Sequence, residues 1–226
     1  MKFTWKESAP KKPELSGTFV AWACEIIDIG THRVQYKRKD KDTGKEYLQN
    51  ADVRKMIVFY EVPSKKDSEG RTLTYHRWYD QELGEKARLT LDLSAAHGRK
   101  ITREDTEDVL NLIFEPPYSI TLVQNGEYTD ISNVAGVGED TVVRPRVRKP
   151  KVFSLDEFDA AYFADLPGWI QAQIKKSVEY QKLTHEHMTE DEPDPRAYQA
   201  PKRQVERDLD EVEAAPVGRR RGDLPF

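Results

Sequence analysis

Cysteine is nearly absent: the 226 residues contain one, Cys24. That excludes a disulfide framework and a cysteine zinc site. Cys24 sits in an apolar run, which predicts a core thiol. Long apolar runs are also missing, with nothing near the roughly 18 residues of a membrane helix. Met1 to Ser16 has four lysines and no apolar core, so it does not read as a secretory signal. These absences predict a soluble, cytoplasmic protein without a membrane partner. Catalytic signatures are lacking too. There is no phosphate-cradling glycine loop, no nucleophile elbow or triad spacing, and no carboxylate cluster of a nuclease kind. Asp40-Lys-Asp42-Thr-Gly44 has its glycine one position early for a calcium loop, and lysines intrude. His185-Glu-His187 has no third ligand. No enzyme, no cofactor and no metal are predicted.

Charge is plentiful but uneven. Charged residues make up 34% and apolar ones 37%, so only part of the chain can be core. From Thr184 onward eleven acids face seven bases, which is the entire net charge of −4, and the first 183 residues are neutral. A neutral body with local cationic runs is compatible with nucleic acid, because distribution matters more than the overall balance.

Along the chain, 1–16 is polar and proline-bearing, and predicts a flexible arm. Thr18 to Ile29 is β-rich. Gly30 ends or bends this strand, and Lys37 to Asp52 reads as a long charged loop. Val53 to Val62 alternates as a second strand, with Met56, Val58, Tyr60 and Val62 inward and Lys55 and Phe59 outward. Pro63 is expected to stop it. Arg71 to Tyr79 is a third strand, and either of its faces could be inward. The period then lengthens: Glu85 to Ala96 reads as a helix, and Thr102 caps a second before Pro116-Pro117. Tyr118 to Val123 and Tyr128 to Val134 flank the hairpin signal Asn125-Gly126.

Three strands, a helical insert and a hairpin is the order of an OB-fold. The fold expected is mainly β with helical insertions: a five-stranded OB-fold barrel over 17–137, with helices between strands 3 and 4. Residues 138–183 read as a basic linker, RPRVRKPK at 144–151, followed by a docked helical extension. Ile170, Ile174 and Val178 form that helix's stripe, with Trp169 at its start; it docks on the barrel or on a neighbouring subunit, which leaves homo-oligomers open. From 184 to 226 the scarcity of large apolar residues before the tip and the prolines Pro193, Pro195, Pro201 and Pro216 predict a disordered acidic tail.

Single-stranded nucleic acid is held by cations along its backbone and by flat side chains under its bases. Candidate cations are Arg33, Lys37, Arg38, Lys39, Lys41, Lys45, Lys55 and Arg77. Candidate stacking groups are Trp22, Tyr36, Phe59, Tyr75, His76 and Trp78. Because strands alternate, about half of such aromatics belong to the core. The strip Arg144 to Lys151 could follow a nucleic-acid backbone, or simply be a solvated linker.

Five stretches carry a resemblance: VAWACEIIDIGTHRVQY, KMIVFYEVP, YHRWYDQELGEKARLTLDL, LNLIFEPPYSITLVQNGEYTDISNV and LPGWIQAQIKKSVEY. Across roughly Gly17 to Leu183 the chain resembles a family of bacteriophage single-stranded DNA-binding proteins. The resemblance implies an OB-fold that coats single-stranded DNA with little sequence preference during replication, recombination and repair. Asp223-Leu224-Pro225-Phe226 resembles the tip of bacterial single-stranded DNA-binding proteins. It implies partner binding to replication or recombination proteins through Asp223, Leu224, Pro225 and Phe226. The acids that usually precede such a tip are replaced here by Arg219, Arg220 and Arg221. The alternatives are a strand-annealing recombination protein and a protein-binding adaptor built on the same barrel.

Overall fold

The computed structural model describes residues 16–190 except 41, 42 and 127, and for 185–190 the backbone alone. Expectations for residues 1–15, for Lys41 and for the tail from 191, tip included, lie outside the described residues. The chain divides after Thr184 into two units, and the first of them holds the sheet and its covering helices.

The elements in order are β1 (Gly17–Lys39), β2 (Glu46–Lys66), β3 (Thr72–Asp80), α1 (Arg88–His97), a 3-10 turn (Arg103–Asp108), α2 (Val109–Phe114), β4 (Pro117–Asn125), β5 (Tyr128–Gly136), β6 (Lys151–Phe153), α3 (Ala160–Asp165), α4 (Gly168–Ile174) and α5 (Val178–Glu190). The strands form one sheet in the order β3-β2-β1-β4-β5, antiparallel at every step, and β6 adds to β1 in parallel. The sheet is open. β3 and β5 approach within 8 Å, but no ladder joins them among the described residues.

The long charged loop expected at Lys37 to Asp52 is strand instead. β1 and β2 stay in register from Thr31↔Arg54 out to Lys39↔Glu46. Cross-strand polar pairs support the ladder: Arg33 Nε donates to Asp52 Oδ1 at 3.1 Å, and Gln35 Nε2 to Asn50 Oδ1 at 3.4 Å. Asp40 closes the turn by accepting the Thr43 N–H at 2.7 Å, and Gly44 takes φ +68°. Charge masks an alternation that pairing reveals. Pro63 does not stop β2 either. It falls where β2–β3 pairing lapses between Val62 and Lys66, so its missing N–H leaves no ladder bond unmade.

Alternation gives the sheet two buried faces. On one, Met56, Val58, Tyr60 and Val62 point inward as predicted, and Leu73, Tyr75 and Tyr79 of β3 join them. α1 closes this core with Leu89 and Leu93, and α2 with Leu112 and Ile113. Thr102 begins the 3-10 turn, its N–H donated to Asp105 Oδ2 at 2.7 Å. On the other face Ile27, Ile29 and Ile57 pack under Phe153, Leu155, Phe163, Leu166, Ile170 and Ile174. The helical extension therefore docks on its own sheet. The single helix expected past Pro167 is two, broken at Lys175 to Ser177, and this turns Val178 away from the stripe to 41% exposure.

The extension also covers an edge. β4 pairs with β1 only to Trp22, and β6 takes over at Glu25 to Ile27. Beyond that, Asp28 accepts the Leu155 N–H at 3.2 Å, and Glu179 accepts the Thr31 N–H at 2.7 Å and the Thr31 hydroxyl at 2.6 Å. Of these groups the Thr31 N–H is the one that an open edge would expose. Gly30 lets the extension come this close. It has φ +82°, and a Cβ there would lie 2.5 Å from Ser177 Cβ and 2.7 Å from both Leu155 Cδ1 and Glu179 Oε2.

Candidate nucleic-acid interface

Register decides which candidate side chains meet. Ile57↔Trp78 and Phe59↔His76 are opposed pairs of β2 and β3, so all four share the face that the extension partly covers. α4 buries Ile170 and Ile174 against that face, and the residue one step off this stripe, Trp169, reaches over β3. The result is a row of four rings. Phe59 lies 5.5 Å from His76, His76 5.1 Å from Trp169, and Trp169 6.3 Å from Trp78, all mutually tilted. Trp78 and Trp169 remain 40% and 45% exposed, and His76 is exposed as well. The row thus offers ring faces to solvent at one end and merges with the outer core at Phe59.

The same face continues onto the outer part of β1 and β2. Tyr36↔Gln49 and Arg38↔Tyr47 share its parity with Lys55, and Tyr36, Arg38 and Tyr47 are exposed. The Tyr36 hydroxyl is raised above its ordinary pKa by partial desolvation, then by the nearby carboxylates of Asp80 and Glu82. Arg33, Lys37 and Lys39 fall on the opposite parity, with Arg33 paired to Asp52. Lys45 is exposed in the turn.

A second cationic element borders the row from the other side. Glu61 is fully buried, beside Thr74 in the register. Its carboxylate accepts the N–H groups of Val147 at 2.7 Å and Arg148 at 3.1 Å. A buried carboxylate needs such donors. The strip Arg144 to Lys151 is therefore seated on the sheet, not a free solvated linker. Arg148 and Lys149 are exposed along it, and Lys151 lies 5.8 Å from the Tyr162 ring. Together with Leu166 and Pro167 they border a cleft of about 470 Å³.

Three predicted residues serve the fold. Tyr75 is 4% exposed in the inner core, where β3 alternation puts it opposite to His76 and Trp78. Arg77 shares that inward parity. Its Nε lies 3.5 Å from Asp92 Oδ2, in a network where Arg88 Nε reaches Asp92 Oδ1 at 3.1 Å and the Tyr79 hydroxyl donates to Asp92 at 2.9 Å. Burial pushes the Tyr79 hydroxyl well up, and neighbouring Asp92 adds to this. Trp22 is half-buried: its indole N–H donates to the Arg144 carbonyl at 2.8 Å, and Arg146 lies 5.0 Å above its ring. It anchors the strip. Cys24 is pushed up to about 12 by burial, reinforced by Glu61 and Glu25, which keeps it an unreactive thiol.

One of these elements lies outside what the sequence singles out. Trp169 reads there only as a helix start, whereas the strip is already read as either a path for a nucleic-acid backbone or a solvated linker. A large ring one step off a buried stripe is the available signal for the first. For the strip, nothing local marks Glu61 as its distant anchor.

Among the described residues no helix is long and apolar enough to cross a membrane, and no three metal-ligating side chains are grouped. No protein-family model matches this chain, and no curated protein or solved structure is detectably similar to it.

Proposed function

We propose that this chain is an OB-type single-stranded DNA-binding protein that coats its ligand without chemistry on it, as the resemblance to the phage family implies. The observation that carries the reading is the ring row Phe59–His76–Trp169–Trp78, with two tryptophans open to solvent. Bases stack on such rings irrespective of sequence, each contributing about 1–3 kcal/mol. Cations on both sides supply the phosphate term: Arg38 and Lys55 on the arm side, Arg148 and Lys149 on the strip. The strand order β3-β2-β1-β4-β5, with helices between β3 and β4 and β3 near β5, supports the OB assignment. Cytoplasmic action on phage-type replication intermediates, and recruitment of replication or recombination proteins through Asp223 to Phe226, complete the proposal.

Titration with oligo-dT while following tryptophan emission is the direct test. Quenching whose apparent affinity falls with salt is expected. Trp78→Ala and Trp169→Ala should each weaken binding by about 1–3 kcal/mol, roughly five- to 150-fold. Absence of quenching, with no salt dependence, would sink the reading.

A further inference from the structure

Two surfaces of this chain have complementary chemistry, and neither is covered among the described residues. The first is the outer part of β1 and β2. From Thr31↔Arg54 to Lys39↔Glu46 it pairs with no third strand among the described residues. At about 3.3 Å per residue this two-stranded arm runs roughly 30 Å, and such a ribbon alone is marginally stable. Leu48 stands on it 59% exposed, opposite Lys37 and one register step of the same parity from Lys39. Beyond the Thr31↔Arg54 pair, its described charges are Arg33, Lys37, Arg38, Lys39 and Lys45 against Asp40, Glu46 and Asp52, a net of +2.

The second surface is a groove of about 800 Å³ at the root of the arm. Ile26, Met56, Leu89 and Ile113 make an apolar floor, and Leu110 and Val152 form a lip at 46% and 42% exposure. Its charged lining is Asp28, Glu82, Asp156 and Glu157 against the single Arg54, a net of −3. Arg54 is engaged internally, between Asp28 and Asp156, the latter at 2.8 Å. Glu82 and Glu157 are exposed at the rim.

We infer that the arm of one copy docks in the groove of another, Leu48 entering the apolar floor while Lys37 and Lys39 meet Glu82 and Glu157. The arm's opposite face, with Tyr36, Arg38 and Tyr47, stays on the side of the ring row. Because arm and groove are different patches, the contact is heterologous and propagates from copy to copy unless the rotation closes it. It does not depend on nucleic-acid binding.

The test is sedimentation velocity of the full chain, without DNA, over a wide concentration range at low salt. Concentration-dependent association that weakens with salt is expected. Leu48→Asp, the arm pair Lys37→Glu/Lys39→Glu, and the groove pair Glu82→Lys/Glu157→Lys should each weaken association about tenfold or more. All five positions are exposed, so unchanged melting temperatures will certify the folds. Mixing arm-reversed with groove-reversed chains should restore association. A chain that stays monomeric throughout overturns the inference. So does association indifferent to all three variants, or a mixture that fails to recover. The oligo-dT result stands or falls separately.

Discussion

The two faces of the central sheet are built from alternate residues of the same strands, yet they are closed in different ways. The inner face is aliphatic, with tyrosine hydroxyls tied off at its border: Tyr60 to Tyr79 at 3.0 Å, and Tyr118 to the Ile113 carbonyl at 2.7 Å. Its lids, α1 and α2, follow β3 directly. The outer face is sealed by rings, with Phe153, Phe158, Phe163 and Tyr180 in contact with one another, and its cover arrives from far along the chain. Asp28 meets Leu155 across 127 positions, and Thr31 meets Glu179 across 148. The outer cover is one late segment laid over a sheet whose strands already pair with each other, and it is expected to open before the inner face. That cover also brings Trp169 to the ring row. The outer cover therefore contributes directly to the candidate interface.

Deleting one buried anchor on each side breaks the comparison most strongly. Leu93→Ala and Ile170→Ala remove side chains 2% and 0% exposed, and each should destabilise by about 3 kcal/mol. Urea unfolding followed by tryptophan emission and by far-ultraviolet circular dichroism should tell them apart. Leu93→Ala should shift both probes together, whereas Ile170→Ala should move the emission transition ahead of the dichroism one. Coincident shifts in both variants would mean that the faces open as one unit.

Gly30→Ala comes next, with about 2–3 kcal/mol expected from the left-handed backbone and the collisions with Ser177 and Leu155. Its effect should fall on the outer cover, seen as faster amide exchange in α4 and α5 with β4 and β5 unaffected. Uniform loss of protection would place Gly30 in the common core instead.

Smaller still is the response to acid. Desolvation raises the Glu179 carboxyl, but the hydrogen bonds from the Thr31 hydroxyl and N–H outweigh it and leave the carboxyl below its ordinary 4.5. A carboxyl lowered on folding contributes stability that is present above about pH 4.5 and disappears as pH falls through the lowered value. Trp169 emission should therefore change below that point, earlier than the inner face melts. Glu179→Gln should remove this step; an unchanged acid profile in that variant would assign it to another group.

Much of this arrangement is legible in the amino-acid order. The inward set of β2, the helical insert, the Asn125-Gly126 hairpin and the docking of an apolar extension all follow from local periodicity. Lys37 to Asp52 misleads because its polar residues hide a period-two pattern that only pairing exposes. Of the ring row, Phe59, His76 and Trp78 stand on neighbouring strands, but completing it depends on Trp169, more than ninety positions beyond Trp78. Tyr75 and Arg77 pass for site residues because chemistry cannot reveal the parity of a strand whose two faces are equally aromatic.

By itself the amino-acid order determined what is local: where apolar alternation or helical spacing is strong, which segments are strand or helix, and which of their faces are apolar. The tertiary structure decided everything that depends on who faces whom. It set Trp169 beside Trp78, gave Glu61 the backbone of a distant basic strip, and turned Arg77 inward to Asp92. The reason is physical: periodicity encodes burial along one element, whereas register and long-range closure depend on packing energies summed over residues far apart in the chain.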